Sequence, residues 1–196
     1  MVERKMIAGL IAFFAFLFML LLVLNGGIAT FDDEAAKLFT PLKFLSIFNV
    51  LGTQLIIGGG SIMLILYLWW RKKNYFGILL LLIAVAGGNL VNKWLKAAVG
   101  RERPPLAQGE EGFSFTSGHA MVGMIFYLLL AFFINQEVAS KKIRIMIYSA
   151  GVLSAVLTGL SRIVTHAHYP SDVFAGYLAG VTIFMFTTGV YGWNKK

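Results

Sequence analysis

Three separated stretches of the chain carry side chains suited to holding and attacking a tetrahedral oxyanion. They are Lys96 to Pro105, Phe113 to His119, and Ser161 to Asp172. The guanidinium groups in the first and third stretches present forked donors that match the geometry of such anions. The histidines in the second and third stretches titrate near neutral pH, so they can act as nucleophiles or exchange protons. These residue types together indicate phosphoryl-transfer chemistry.

The first stretch is preceded by polar residues spaced i, i+3, i+4 and i+7, which places them on one face of a helix. These residues are Asn89, Asn92, Lys93 and Lys96. Polar groups at membrane depth normally face the bundle interior or a wet cavity. Lys93 alone is better explained by snorkelling to the interface. Lys96 is the stronger candidate for a site, because Arg101 and Arg103 follow it closely.

The second stretch ends in Ser117-Gly118-His119, just before or at the start of an apolar segment. A helix that begins here would offer free backbone N–H groups and its positive dipole end to an anion. Gly118 would let the backbone approach that anion closely. The same pattern also fits a plain N-cap followed by an ordinary core histidine.

The third stretch contains Arg162, His166, His168 and Asp172. If a helix starts at His168, Asp172 lies one turn further on and can accept a hydrogen bond from one imidazole nitrogen. That contact fixes the tautomer and frees the other nitrogen, as in catalytic triads. His166 would face away, as a loop residue. A histidine metal site is disfavoured, because no paired carboxylate cluster or His-x-x-x-His spacing accompanies it.

Taken in order, the motifs resemble those of the type-2 phosphatidic acid phosphatase superfamily, which includes membrane-embedded bacterial lipid phosphatases. Lys96 is followed after six residues by Arg103-Pro104, Ser117-Gly118-His119 comes next, and Ser161-Arg162 is followed by His168 and Asp172 at the family's spacing. Thr116 stands where the family usually has proline, and we expect it to loosen the turn before Ser117.

The resemblance implies a role for each matching residue. The phosphate-binding residues would be Lys96, Arg103, Ser117, Gly118 and Arg162. His168 would attack phosphorus, Asp172 would orient His168, and His119 would protonate the leaving oxygen and then activate water. No metal ion and no cofactor is implied. Substrates would be phosphatidylglycerophosphate, phosphatidic acid or undecaprenyl diphosphate. A phosphotransferase using the same histidine, and a transporter or scaffold without turnover, remain alternatives.

Membrane helices must position these residues, because 58% of the 196 residues are hydrophobic and 13% are charged. Such a composition is typical of a single polytopic all-α membrane domain spanning residues 1–196. The six predicted spans are Met6–Leu24, Thr53–Trp70, Tyr75–Val91, Gly118–Ile134, Ile143–Leu160 and Asp172–Tyr191. The first is longer than the ~7–15 residues of a signal-peptide core, so we expect it to be retained. With no cysteine, the chain has no disulfide framework.

Lysine and arginine are concentrated in alternate loops, which predicts the orientation. One side holds Arg4, Lys5, Arg71, Lys72, Lys73, Lys141, Lys142, Arg144, Lys195 and Lys196, opposed only by Glu3 and Glu137. This side should be cytoplasmic, in a bacterial plasma membrane, with both termini there. The motifs then lie on the extracytoplasmic side. The net charge of +8 is better explained by orientation and anionic headgroups than by nucleic acid.

Between the first two spans lies an additional, partly amphipathic segment, Ala35 to Val50, which we expect to be interfacial. Thr40-Pro41 predicts an N-cap and first turn, with a short helix running toward Val50. Three acids precede it, Asp32, Asp33 and Glu34; they favour a helix N-terminus over a metal site. The segment could wall or cover a lateral opening for a lipid substrate, or simply link two spans. No protein partner is indicated.

Overall fold

The chain forms seven α-helices and one 3-10 segment, and the computed structural model describes residues 2–107 and 109–194. The helices are α1 (Val2–Leu24), α2 (Ala29–Phe39), α3 (Gln54–Trp70), α4 (Tyr75–Val99), α5 (Gly118–Asn135), α6 (Lys141–Val164) and α7 (Pro170–Asn194). The 3-10 segment, Thr40–Gly52, joins α2 to α3. The predicted all-α membrane fold is therefore confirmed.

Each predicted span corresponds to a helix, although α4 and α6 extend the furthest beyond their predicted ends. Five of the described helices are long and apolar enough to cross a bilayer alone. The 17-residue α3 qualifies only together with the helical stretch Ala29–Gly52 before it, and the two are bent by 46° relative to each other. Helix α4 continues beyond the predicted Val91 to Val99, and α6 continues beyond Leu160 to Val164. Polar residues can extend a helix past the lipid core, and α4 stops only at Gly100, whose φ of +63° is left-handed. Lys96 and Arg162 therefore lie on helices.

Helix α5 lies at the centre of the bundle and is buried along most of its length. Two glycines of α7 allow its close approach: a Cβ on Gly176 would lie 2.9 Å from the Ser117 carbonyl oxygen, and one on Gly180 would lie 2.8 Å from that of Met121. Small residues at these positions let the two helices pack closely. This packing holds the start of α5 against the first turns of α7.

The loops predicted to share the basic side do lie together at one end of the bundle. Lys72 after α3 forms an ion pair of 2.5 Å with Glu137 after α5. The Asn74 amide donates to the Tyr191 hydroxyl near the end of α7, at 2.7 Å. Lys195 and Lys196, which we counted with this group, lie outside the described residues. The three motifs lie at the opposite end.

The break predicted between α2 and the next helical segment is present, but Thr40 is not its N-cap. Thr40 has helical dihedral angles, and its hydroxyl donates to the Ala36 carbonyl at 3.2 Å, so it closes α2 instead. Pro41 occupies the first positions of the 3-10 segment, where its missing N–H costs no hydrogen bond. The predicted short helix toward Val50 is thus the 3-10 segment.

Candidate active site

The loop between α6 and α7 brings His168 beside Asp172. The sixth predicted span starts at Asp172, and α7 begins two residues earlier, at Pro170, so the helix does not include His168. The Arg162 carbonyl accepts the backbone N–H groups of Ala167 and His168, at 3.0 and 3.2 Å, and this folds the loop back over the end of α6. The His168 Nδ1 atom lies 3.7 Å from Asp172 Oδ2. The predicted pairing of the two side chains therefore arises from a turn rather than from one continuous helix.

His166 forms the turn that makes this fold-back possible. Its φ is +55°, and its N–H donates to the Ile163 carbonyl at 2.9 Å. Together with the bond from Ala167 to Arg162, this is the pattern of hydrogen bonds that commonly closes a helix, usually with glycine at the left-handed position. The loop assignment predicted for His166 is confirmed.

The sequence analysis did not assign a role to Ser114, which contacts both members of the pair. Its hydroxyl donates to Asp172 Oδ2 and lies 3.3 Å from His168 Nδ1, while the Tyr169 N–H donates to the same carboxylate oxygen at 3.0 Å. Ser114 and Asp172 are both fully buried. The Nδ1 edge of His168 is thus surrounded by acceptors, and the Nε2 edge faces Arg103, whose Nη1 lies 3.5 Å away.

Burial lowers the pKa of His168 to about 4, because the charged imidazolium loses its hydration in this loop. Asp172 opposes that effect through the negative charge of its nearby carboxylate, whereas Lys96 and Arg103 add to it. The imidazole is therefore neutral at pH 7 and keeps a lone pair. This is the protonation state that a histidine nucleophile requires.

Two arginines from separate motifs share one carboxylate in front of His168. Arg162 Nη2 donates to Glu110 Oε1, and Arg103 Nη1 lies 3.6 Å from Glu110 Oε2. The Nη1 group of Arg162 donates to the Asn49 side chain at 2.7 Å. The Nε atom of Arg162 is buried and has no hydrogen-bond partner among the described residues. We call the group of side chains Arg103, Arg162 and His168 the cup; the Glu110 carboxylate lies between its two arginines.

The first motif reaches the site from the last turns of α4. Lys96 Nζ donates to the Phe113 carbonyl at 2.7 Å, and the buried Asn92 amide donates to the Thr116 carbonyl and hydroxyl at 3.0 and 2.7 Å. Asn89 and Lys93 are exposed, so only half of the predicted polar face points inward. Lys93 is therefore not part of the site.

The second motif packs directly onto α7. Ser117 is the N-cap of α5, and its backbone N–H donates to the Asp172 carbonyl at 3.1 Å, so that donor is already engaged. A Cβ on Gly118 would lie 3.0 Å from the Asn92 side-chain oxygen. The expected loosening at Thr116 is not observed: this residue is fully buried, bonded to Asn92, and preceded by a cis peptide bond.

His119 packs against the 3-10 segment, which forms one wall of the cup. A Cβ on Gly52 would lie 2.1 Å from His119 Cδ2, so the imidazole packs against this glycine. His119 interacts electrostatically with Arg162 and His168, among other groups. Because Asn49 of the same segment binds Arg162, the segment is a wall of the site as well as a link between spans.

Sequence reasoning missed several residues that complete this geometry: Asp32, Asn49, Gly52, Glu110 and Ser114. None of them is one of the matched motif residues. Each comes close to those residues only through tertiary packing. Arg101 was noticed only as a charge near Lys96. Among residues 2–107 and 109–194, no group of three or more His, Asp or Glu side chains is arranged to hold a metal ion.

Comparison with known proteins agrees with this combination of fold and site. The family model described as the PAP2 superfamily matches residues 77–196, which include all three motifs. The chain belongs to the PAP2 superfamily, the family that its motifs resemble.

Two curated relatives carry specific names. The chain is 36% identical over 104 residues to phosphatidylglycerophosphatase B of Bacillus subtilis, covering 51% of each chain. It is 32% identical over 120 residues to lipid A 1-phosphatase of Rhizobium etli, covering 55% of this chain and 47% of the relative. These matches thus span about half the length of each relative.

One solved structure is similar over nearly the whole chain. It is the crystal structure described as the first transmembrane PAP2-type phosphatidylglycerolphosphate phosphatase from Bacillus subtilis. The TM-score is 0.86 at 25% sequence identity, with 94% of this chain and 96% of that chain covered. The likeness includes the helices before residue 77, which the family model does not reach.

Proposed function

We propose that residues 1–196 form a single membrane-embedded lipid phosphatase domain that works through a phosphohistidine. The observation that carries this proposal is the carboxylate of Glu110, held by Arg103 and Arg162 in front of the neutral His168. An anion already occupies the cup, and a phosphate has the charge and oxygen geometry to replace it. The unpartnered Nε of Arg162 offers such a phosphate a further buried donor.

In the first step, His168 Nε2 attacks phosphorus with its lone pair, and the bond from phosphorus to the lipid oxygen breaks. His119 gives its proton to that leaving oxygen. Asp172 and Ser114 hold the Nδ1 edge, so the positive charge of the phosphorylated ring is stabilised beside a carboxylate. Arg103, Arg162 and Lys96 stabilise the charge on the transferring group.

In the second step, His119 takes a proton from water as the water oxygen attacks phosphorus. The phosphorus–nitrogen bond breaks, inorganic phosphate leaves and His168 returns to its neutral form. General acid and general base are the same imidazole at successive stages, as microscopic reversibility permits. The residues of this chain supply each proton and each stabilising charge.

For the substrate we infer a lipid phosphate, with phosphatidylglycerophosphate first because one relative and one solved structure are named for it. Lipid A 1-phosphate, phosphatidic acid and undecaprenyl diphosphate share the required group. The cup lies at helix ends, so the tails can stay in the bilayer while the phosphate reaches the arginines. The excess of lysine and arginine at the opposite end favours an extracytoplasmic site in a bacterial plasma membrane.

The sidedness can be tested in this chain directly, because it contains no native cysteine. Leu106→Cys lies in the exposed loop of the site, and Lys142→Cys lies at the exposed start of α6, at the other end. A membrane-impermeant maleimide added to intact cells or spheroplasts should label the first and not the second. Labelling of the second alone would invert the proposed orientation.

Activity is tested by phosphate release from a panel of lipid phosphates and diphosphates by the purified protein, in excess chelator. We expect release from at least one lipid, loss of release in His119→Ala and His168→Ala, and retention in His166→Asn, which removes an imidazole from the same loop and suits its left-handed backbone conformation. Acid-labile phosphate trapped on wild-type protein but not on His168→Ala would support the covalent step. Release that stops when chelator is added would contradict this mechanism.

A further inference from the structure

Asp32, on the interfacial helix α2, is buried to 1% exposure and makes its contacts inside the site. Its Oδ1 atom accepts the Ser171 N–H at 2.8 Å, and its Oδ2 atom accepts the Ser171 hydroxyl at 2.7 Å. Oδ2 also accepts Arg101 Nη2 at 2.6 Å. The neighbouring acids Asp33 and Glu34 are exposed. One acid of this group therefore differs from the others in its environment and its partners.

The other arm of Arg101 reaches the acid that faces His168. Arg101 Nη1 donates to Asp172 Oδ1 at 2.6 Å and to the Ser171 hydroxyl at 2.8 Å. The Tyr169 ring lies against the guanidinium, 4.1 Å from its carbon to the ring centre. Arg101 is thus shared between two buried carboxylates, with one terminal nitrogen on each.

This sharing leaves the two oxygens of Asp172 with separate partners. Oδ1 is bound by Arg101, whereas Oδ2 faces His168 and accepts from Ser114 and the Tyr169 N–H. An arginine with only one carboxylate nearby commonly binds both of its oxygens with two parallel hydrogen bonds. Such a fork on Asp172 would draw Oδ2 away from the imidazole.

We propose that Asp32 is a positioning residue for the phosphoryl transfer: by holding Arg101 Nη2, it restricts Arg101 to one oxygen of Asp172 and keeps the other oxygen on His168. This proposal rests on the proposed function and adds a residue from α2 to its machinery. It also connects the interfacial helix to the nucleophile through two contacts, Asp32 to Arg101 and Arg101 to Asp172.

Asp32→Asn, which keeps the shape and removes the charge, is the direct test. We expect kcat to fall ~10–100-fold, the loss typical of one charge-assisted hydrogen bond, with KM within about twofold of wild type. Asp33→Asn, the same change one residue on at an exposed position, is the matched control and should retain full activity. Asp32→Glu, which keeps the charge, should recover part of the loss.

A double-mutant cycle separates positioning from a general structural role. In an Asp172→Asn background, Asp32→Asn should cause no further loss of kcat, because the carboxylate that it positions is gone. A merely structural role predicts that the two losses multiply. If Asp32→Asn does not fold, Arg101→Lys tests the same link: it keeps the charge without the planar fork, and its loss should also vanish in the Asp172→Asn background.

The outcomes distinguish the two proposals. Wild-type protein that releases phosphate, together with an Asp32→Asn protein equal to it, overturns the positioning role alone. Losses that multiply in the cycle also overturn it. Wild-type protein with no turnover on any lipid phosphate overturns the proposed function and this role together.

Discussion

The two ends of the helical bundle carry charge in opposite ways. At the end with the motifs, Asp32, Asp172 and Arg162 are 1%, 0% and 4% exposed. At the other end, the side chains of the Lys72–Glu137 pair remain 33% and 48% exposed. Removing charges from water costs several kcal/mol per ion, and only well-formed partners offset it. Clusters of this kind are typical of functional sites, whereas exposed pairs contribute little.

This difference predicts which substitutions should alter activity and which should alter only stability. Changes to the buried end should alter turnover or substrate affinity, because each charge there has a defined partner near His168. Changes to the exposed end should leave turnover intact and alter stability slightly. The following expectations run from the largest effect at the buried end to the smallest at the exposed end.

Arg162→Ala should cause the largest loss among these. It removes from the cup the two terminal nitrogens of the guanidinium and its unpartnered Nε. In other enzymes, loss of one oxyanion donor lowers kcat by ~10²–10³-fold. We expect kcat/KM for lipid phosphate to fall by at least ~10³-fold. Steady-state phosphate release from mixed micelles measures it. Arg162→Lys should recover little, because an ammonium cannot replace the fork; full recovery would contradict the cup geometry.

Gly52→Ala should come next. Its backbone conformation is one that any residue adopts, yet the added Cβ would lie 2.1 Å from His119 Cδ2 and 2.6 Å from Thr158 Cγ2. The imidazole must then move, and misplacing a catalytic group by ~1 Å can cost ~10²-fold in rate. We expect kcat to fall by ~10–100-fold.

Gly58→Ala is the matched control, since a Cβ there meets nothing within 4 Å. It should keep wild-type activity and gain slightly in melting temperature, because alanine favours a helix interior. Equal activity of the two variants would show that Gly52 does not restrain His119.

Gly52 also shows which part of the site could not be predicted from the sequence. The helices follow from apolar runs of suitable length, and the motif residues follow from spacings within one stretch of chain. Gly52 and Asn49 belong to a different stretch, and nothing in their local sequence indicates contact with His119 or Arg162. Their role depends on how the 3-10 segment packs against α5 and α6, which local periodicity does not encode.

The pairing of His168 with Asp172 gives a second example. Its spacing of four indicated a hydrogen bond across one helical turn if a helix started at His168. The two side chains do face each other, at 3.7 Å, but no such helix is present. The structure instead forms a turn with His166 at positive φ and starts α7 at Pro170. Asp32 is a case in which the contact was not predicted at all. A position near a helix N-terminus was enough to explain its charge, and nothing local indicated a buried ion pair with Arg101, 69 residues away along the chain.

The pH dependence should reflect the burial of His168. Its pKa, lowered to about 4, keeps the nucleophile neutral between pH 4 and the ordinary value of 6.5. At pH 5, a histidine of ordinary pKa would be ~3% neutral and this one ~90% neutral, a difference of about 30-fold in nucleophile. We expect the acid limb of kcat to have its midpoint nearer pH 4 than 6.5.

The same shift has the opposite consequence for stability. The folded state binds fewer protons at His168 than the unfolded state between these pH values, so the contribution to stability is lost as pH falls from about 6.5 toward 4. Melting temperatures in detergent over this range, compared with His168→Asn, would reveal it. A kcat midpoint at pH 6.5, together with no pH-dependent difference in melting temperature between wild type and His168→Asn, would mean that His168 is not desolvated.

Glu110→Gln should have a smaller effect, in the direction of tighter binding. The Glu110 carboxylate must leave Arg103 and Arg162 before a phosphate binds, and a neutral amide competes less for the two guanidinium groups. We expect KM, and the inhibition constant of inorganic phosphate, to fall about three- to fivefold, in line with ~1 kcal/mol for ion pairs whose carboxylate remains partly exposed. Glu111→Gln, an exposed neighbour, should change neither. Weaker phosphate binding in Glu110→Gln would show that this carboxylate supports the cup rather than competing for it.

Lys72→Ala should produce the smallest effect and so test the other side of the comparison. It breaks the 2.5 Å pair with Glu137, whose side chains are partly solvated, and such pairs contribute ~0–1 kcal/mol to stability. Turnover and KM should equal those of wild type, with a small fall in melting temperature that disappears at high salt. A clear loss of kcat would mean that the exposed end is coupled to the site. Burial of a charge would then no longer distinguish residues that serve catalysis from residues that set membrane orientation.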